Sequence, residues 1–453
     1  MLEILNVFLP RVAAYACLLS GTLSAIVYTP CSGAAKINLD RAIAAAQNTD
    51  PWLQASVYRQ TSLEAQSVSA GRLPDPTLSF GYANLPTDTF DLRQEPMTML
   101  KFDMNQKFPR GRSLSLHKEK LHTLSEVEIN ARQNRLALTA LKVAELWLDA
   151  YRYEKSINLI EKDRNLFEHL VDVAESNYTS ARGRTRQHDL LRAQLELTAL
   201  DDRLQSLKHL RDTHIANLSE WLYNDAVADG INSQADIEID IQSLSSEALA
   251  PPELILRRES EDKQQRLMAL LNAHPKILII QKQLAAEDKN IALSRQNYKP
   301  QWGINASYGI READNNGVER ADFLSLAVTV DLPIFTSKRQ DKLLQSAMAE
   351  KERVVSERAL LVRQLLASYR LAESAYFNLT KRKSLYDERL LPEVAQQADA
   401  ALAAYTHDDG DFSEVVRARI SELNANIEAL NINVEKYKSL AQLRYLLVAE
   451  NEK

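Results

Sequence analysis

Hydrophobic positions in this chain recur with two different periods. Between Gly111 and Gly183 there is neither glycine nor proline. Over Ser113–Ala181, Val143, Ala150, Ile157, Val171 and Tyr178 fall seven or fourteen residues apart. Leu146, Tyr153, Ile160, Phe167 and Ala174 form a companion set three residues on. That spacing is a coiled-coil seam and predicts one helix of roughly 100 Å at 1.5 Å per residue. Elsewhere the period is two. Four segments alternate, at about 77–83, 97–108, 302–309 and 323–332. Leu78, Phe80 and Tyr82 stand opposite Thr77, Ser79 and Gly81. Leu100, Phe102 and Met104 stand opposite Lys101, Asp103, Asn105 and Lys107. Trp302, Ile304, Ala306 and Tyr308 oppose Gly303, Asn305, Ser307 and Gly309, and Leu324, Leu326, Val328 and Val330 oppose Ser325, Thr329 and Asp331.

The pattern occurs twice. "NTDPWLQASVYRQ" from Asn48 resembles "NAHPKILIIQKQL" from Asn272, and "RLPDPTLSFGYANL" from Arg72 resembles "NYKPQWGINASYGI" from Asn297. "NQKFPRGRS" resembles "TVDLPIFTS", and the glycine-centred "NYTSARGRTRQHDLLRAQ" resembles "AYTHDDGDFSEVVRAR". Pro51 and Pro275 differ by 224 positions, as do Pro109 and Pro333. The division is therefore a first repeat at 36–223, a polar connector at 224–272 and a second repeat at 273–453. Each repeat reads as a helix (about 38–72, then 276–297), two strands, a long helix, a glycine tip (about 178–189, then 405–414) and a returning helix. Pro392 predicts a kink or break in the second long helix.

Alternating strands of this kind fit a soluble, half-buried sheet. They also fit a transmembrane barrel, apolar toward lipid and polar toward a lumen. Their length of about ten residues is near the spanning length. Four strands cannot close a barrel, which needs at least about eight, and an open edge is not viable in lipid. The second reading therefore requires several copies; three would supply twelve strands.

These residues resemble the TolC-like outer-membrane factors of Gram-negative efflux and secretion systems, over about Ile37–Leu447. The repeated Asn-x-x-Pro helix starts, the strand exits "QKFPRGR" and "VDLPIF", and the paired Tyr…Gly…Arg-Ala segments carry the resemblance. "PMTMLKFDMNQKFPRGR" further resembles the heavy-metal branch. The resemblance implies a mainly α fold with a small β part: a long coiled-coil helical barrel and four transmembrane strands per chain, internally duplicated, closing a twelve-stranded barrel as a homotrimer. It implies an outer-membrane exit duct with its helices in the periplasm, docking a periplasmic adaptor and an inner-membrane pump. Docking would fall on the tips, at Tyr178, Gly183, Thr185, Tyr405, Gly410 and Ser413. Physically, Gly183 and Gly410 allow the positive φ of a tight helix–helix turn. Tip one carries Arg182, Arg184 and Arg186 against Asp189; tip two carries Asp408, Asp409, Asp411 and Glu414. Alternating in a ring, these charges could gate the pore. Lys101, Asp103, Asn105, Lys107, Asn305, Ser307 and Thr329 would line the barrel.

Composition narrows the alternatives. The net charge of −6 gives no reason to expect nucleic-acid binding. Both cysteines, Cys17 and Cys31, lie near the start. There Arg11, the apolar run Val12–Tyr28 and the small residues Cys31–Ala35 read as a signal peptide over 1–35, cut near Ala34 or Ala35. The eight histidines show no His-Glu-x-x-His spacing, and no phosphate loop or nucleophile elbow is present. Met97, Met99 and Met104 invite a soft-metal reading, but packing within the strands accounts for them better. The expectation is a passive channel with no cofactor. The other readings are a soluble coiled-coil scaffold and the duct of a type I secretion system.

Overall fold

The structure is a computed structural model. It describes residues 36–179, 187–222, 238–239, 249–256, 261–407 and 411–448. Gly183, Thr185, Gly410, Arg182, Arg184, Arg186, Asp408 and Asp409, and the expected signal peptide, lie outside the described residues, as does most of the connector.

The first repeat begins with a two-residue strand β1 (Lys36–Ile37), α1 (Leu39–Thr49) and α2 (Pro51–Ala70). Strands β2 (Thr77–Ala83) and β3 (Met99–Phe108) follow, then α3 (Ser113–Thr179) and α4 (Gln187–Leu222). The connector contributes β4 (Glu238–Ile239), paired in parallel with β1, and helices α5 (Glu253–Leu256) and α6 (Glu261–Asn272). The second repeat holds α7 (Pro275–Gln296), β5 (Gln301–Ile310), β6 (Phe323–Asp331), α8 (Gln340–Leu385), α9 (Leu391–Thr406) and α10 (Phe412–Leu446). Helices make up most of the chain, and one four-stranded antiparallel sheet, in the order β2-β3-β5-β6, sits at one end.

The 67 residues of α3 form one uninterrupted helix. Most of its expected seam is buried: Val143, Ala150 and Ile160 are fully enclosed, Ile157 and Phe167 nearly so, and Leu146, Tyr153 and Val171 are half-buried. The side chains of Ala174 and Tyr178 lie outside the described residues. A rod of this length cannot gather one compact core, so burial is divided into clusters along it. One surrounds Trp147 and Leu148, with Leu39, Ala42, Leu218 and Val434. The Trp147 indole N–H donates to the Ile37 carbonyl at 3.1 Å, which ties the start of the described chain to the middle of α3. A second cluster joins Ile160 and Phe167 to Leu200, Phe412, Val415 and Leu423 from α4 and α10. A third joins α5, α6 and α7 to Tyr369, Leu440 and Leu443.

The helix expected at about 38–72 is two helices. Pro51 has no N–H to continue α1 and holds Asp50 extended, at ψ 107°. Asp50 then caps α2, accepting from the Trp52 N–H at 3.0 Å, and pairs with Arg135 at 2.6 Å. The counterpart, 224 residues on, is His274 before Pro275. Its Nδ1 accepts from the Lys276 N–H at 3.2 Å, which leaves Nε2 as the N–H that donates to the Tyr445 carbonyl at 3.2 Å. At Pro392 the chain does not part. A single π-helical turn, Tyr386–Leu390, absorbs the missing N–H, and α9 continues with proline in its first turn.

Burial holds the His274 imidazole neutral, with its pKa lowered to about 4. The unfolded chain takes up the proton first as pH falls, so the neutral cap contributes fully above about pH 6.5 and progressively less toward pH 4. The full loss is about 3 kcal/mol. In thermal unfolding followed between about pH 7 and pH 4, His274→Asn should keep the cap and flatten this part of the pH dependence.

Candidate functional site

The sheet is the part of the chain whose chemistry is least ordinary. Its registers align side chains in rows across all four strands. Phe80 pairs with Phe102, Phe102 with Tyr308, and Tyr308 with Leu324. Two residues along lies Leu78, Met104, Ala306 and Leu326. Between these rows, and so on the opposite face, run Ser79, Asp103, Ser307 and Ser325, then Thr77, Asn105, Asn305 and Ala327. Every residue expected to line a lumen falls on this polar face: Lys101, Asp103, Asn105, Lys107, Asn305, Ser307 and Thr329. Lys101 and Asp103 form an ion pair there at 2.8 Å.

On β5 burial is the inverse of that in a soluble sheet, whereas on the outer strands β2 and β6 both faces are exposed. On β5, Gly303, Ser307 and Gly309 of the polar face are buried, whereas Trp302, Ile304, Tyr308 and Ile310 are exposed. Phe80 is 78% and Leu326 75% exposed, with Leu78, Tyr82, Leu324 and Val328 similar. Gln106 is the polar exception in an apolar row, opposite Ile304. Its amide is satisfied by the carbonyls of Pro74 and Lys107, at 2.9 and 3.0 Å.

At one end, the loops 84–98 and 311–322 are stitched together. Arg93 pairs with Glu312 at 3.1 Å, Arg311 donates to the Pro96 carbonyl and Arg320 to those of Glu95 and Arg93. The Asp314 carboxylate is held below the usual carboxylate range by the backbone N–H groups of Val318 and Asn316. Thr98, expected in β3, belongs to this loop, where its hydroxyl donates to the Asn84 carbonyl at 2.7 Å.

The other end meets the helices through "FPRGR". Arg110 donates to the carbonyls of Asn297 and Lys299, at 3.0 and 2.9 Å, and pairs with Asp331. Gly111 has φ +49°, and a Cβ there would lie 2.5 Å from both Gln296 Oε1 and Lys299 Cδ. Turn geometry and crowding therefore both call for glycine.

The far end of the helices carries the tips. In the described part of tip two, Asp411 caps α10, accepting from the Ser413 N–H at 3.2 Å and its hydroxyl at 3.0 Å. Tyr405 meets buried Phe412 edge-on, with ring centroids 5.5 Å apart. Glu414 is exposed in the first turn of α10. In tip one, Asp189 lies in α4, though its side chain, like that of Tyr178, is outside the described residues. Above the tips, Arg419 bridges Asp399 and Glu422, each at 2.8 Å. Burial, and then Glu422, raises the Asp163 pKa nearby. Asp399 and Asp163 escape a reading of the sequence because they stand on α9 and α3, away from Arg419 and Glu422 of α10; the Arg419–Glu422 pair, three residues apart on one helix, had a local spacing.

Among the described residues no group of three or more metal-ligating side chains occurs. The methionines diverge: Met104 is on the apolar face, and Met99 is on the polar face against Gly309. No helix among the described residues is long and apolar enough to cross a membrane.

No family model matches the sequence, and no curated protein matches it. Solved structures do match. CusC, studied for the conformational changes that accompany folding and transmembrane channel formation, aligns over 90% of this chain and 91% of its own, with a TM-score of 0.73 and 15% identity. The Campylobacter jejuni outer membrane channel CmeC covers 97% of this chain and 94% of its own (0.72, 12%). The Vibrio cholerae outer membrane protein VceC covers 90% and 95% (0.70, 14%). This is the outer-membrane channel fold. At these identities what is shared is the architecture, a helical barrel with a small antiparallel sheet, and it is the architecture that the TolC-like motifs imply.

The Arg110 clasp gives the junction a direct test. Arg110→Ala removes two carbonyl contacts and the pair with the exposed Asp331, at a cost of about 1–3 kcal/mol. Hydrogen exchange at residues 108–113 and 296–301 should rise in this variant. Arg110→Lys should recover little, because an ammonium cannot span both carbonyls and the carboxylate.

Proposed function

We propose that three copies of this chain form an outer-membrane exit duct of a tripartite efflux system. The observation that carries the reading is the sheet's exposed apolar face: Leu78, Phe80, Leu324, Leu326 and Val328 are all uncovered, and among the described residues the outer strands β2 and β6 have no further partner. In lipid the exposed face becomes the buried one, and edge-to-edge pairing of three sheets closes a twelve-stranded barrel. The likeness to outer-membrane channels supports this placement. The duct is passive. The helices reach into the periplasm, and their tips receive a periplasmic adaptor coupled to an inner-membrane pump. The basic first tip and the acidic second tip alternate around the ring and hold the pore closed through cross-tip pairs. Exposed pairs are individually worth only about 0–1 kcal/mol, so the latch depends on their number.

Expressed in a Gram-negative host, the chain should fractionate with the outer membrane and run as a trimer on unheated gels and as a monomer after heating. A soluble monomer would contradict the duct. In planar bilayers, Lys107→Glu should move the reversal potential toward cation selectivity, because six units of charge change within one narrow ring. Neutralising Arg184 and Arg186 should raise conductance; an unchanged conductance would remove the latch.

A further inference from the structure

The duplication makes it possible to derive the seam between copies from the seam within one chain. The within-chain seam joins the repeats along β3 and β5 and, beneath them, sets Arg110 and Gly111 against Gln296, Asn297 and Lys299. Pro109 and Pro333 place β3 and β6 at an offset of 224. The paired Thr77 and Asn105 of the first hairpin then fall on the paired Gly303 and Thr329 of the second, so β2 and β5 stand at an offset of 226. The helix ends Ala70 and Gln296 agree with the second offset.

We infer that a second copy of the chain closes on the free edge in this same register, with a knob-and-hole contact beneath it that exists only between copies. The inference rests on the duct reading. Asn105 opposite Asn305 becomes Thr329 opposite the next copy's Ser79. Met104 opposite Ala306 becomes Val328 opposite its Phe80, and Phe102 opposite Tyr308 becomes Leu326 opposite its Tyr82. Each row continues with its own kind: apolar meets apolar, and polar meets polar.

Beneath the strands, side-chain sizes are exchanged. Within the chain, Gly111 is crowded by two long side chains, those of Gln296 and Lys299. At the seam between copies, Phe335 stands in place of Gly111, and Ala70 and Leu73 stand in place of Gln296 and Lys299. A large ring faces small and apolar partners, where within the chain a glycine faced large polar ones. Ile334 replaces Arg110, so the ionic clasp becomes an apolar one. In one chain Phe335 is 89%, Ile334 71% and Leu73 50% exposed, and Ala70 is half-buried. The two seams are not interchangeable, since Phe335 could not occupy the Gly111 site. The contact is head-to-tail, and its closure gives a ring.

The test uses the full chain with Cys17 and Cys31 replaced by serine. Ser79→Cys with Thr329→Cys should form an intermolecular disulfide that survives heating in detergent. Gly81→Cys with Thr329→Cys, one polar row away, should not. Phe335→Asp should lower the temperature at which the unheated oligomer dissociates, and Phe335→Leu should lower it less. An intact heat-sensitive oligomer that cross-links through Gly81→Cys, or that fails to cross-link through Ser79→Cys, would overturn this register and leave the duct standing. So would an oligomer indifferent to Phe335→Asp. Absence of any oligomer in the parent chain would overturn the duct reading itself.

Discussion

The constraint on which the structure depends is the unpaired backbone at the edges of its sheet. Strands β2 and β6 each present a row of N–H and C=O groups to their surroundings, flanked by Leu78, Phe80, Leu326 and Val328. In water such edges are an aggregation hazard, and in lipid each unpaired group costs several kcal/mol. Neither solvent suits one isolated chain. A sheet continued by its own copies removes the edge and gives the exposed apolar face a solvent that matches it. The stitched loops at one end and the Arg110 clasp at the other hold the two hairpins together, so that the edges are ready to be met.

The helices answer a different demand. Their stability comes from a seam spread along α3 rather than from a single core, with Trp147 enclosed midway and Phe412 near the tip. Clusters distributed in this way suit a wall one helix thick. They leave the outer apolar residues of α2 and α8, such as Tyr58, Leu343 and Met348, without cover in one chain. The free faces of the helices therefore lie on the same two sides as the free edges of the sheet, and one closing event would satisfy both.

Much of this was legible in the sequence because two strong periods carried it. The heptad gave the long helix from Ser113 through the last described residue, Thr179, and alternation gave all four strands and placed every expected lumen residue on the polar face. The breaks were read less well. Pro51 was seen as a repeat marker, yet its effect of splitting one expected helix at Asp50 was not. The difference between offsets of 224 and 226 was hidden, since a two-residue shift leaves an alternating pattern unchanged. The Arg110 clasp was hidden for another reason: its partners are backbone carbonyls 187 and 189 residues away. At the tip, Asp411 was expected as a gate charge and Ser413 as a docking residue, and their capping of α10 was not foreseen; the ion pairs of Arg419 with Asp399 and of Arg164 with Asp201 join separate helices and leave no local signature.

The central claim is that the exposed apolar face meets lipid. Trp302 lies on that face, 49% exposed, while Trp147 is enclosed and Trp52 and Trp221 lie beside Arg135 in the helical part. The most direct measurement is tryptophan fluorescence of the chain reconstituted in bilayers containing brominated acyl chains. Quenching that disappears in Trp302→Phe is the result the account predicts. Emission from Trp302 that is insensitive to bromine, in a chain otherwise associated with the membrane, would contradict it.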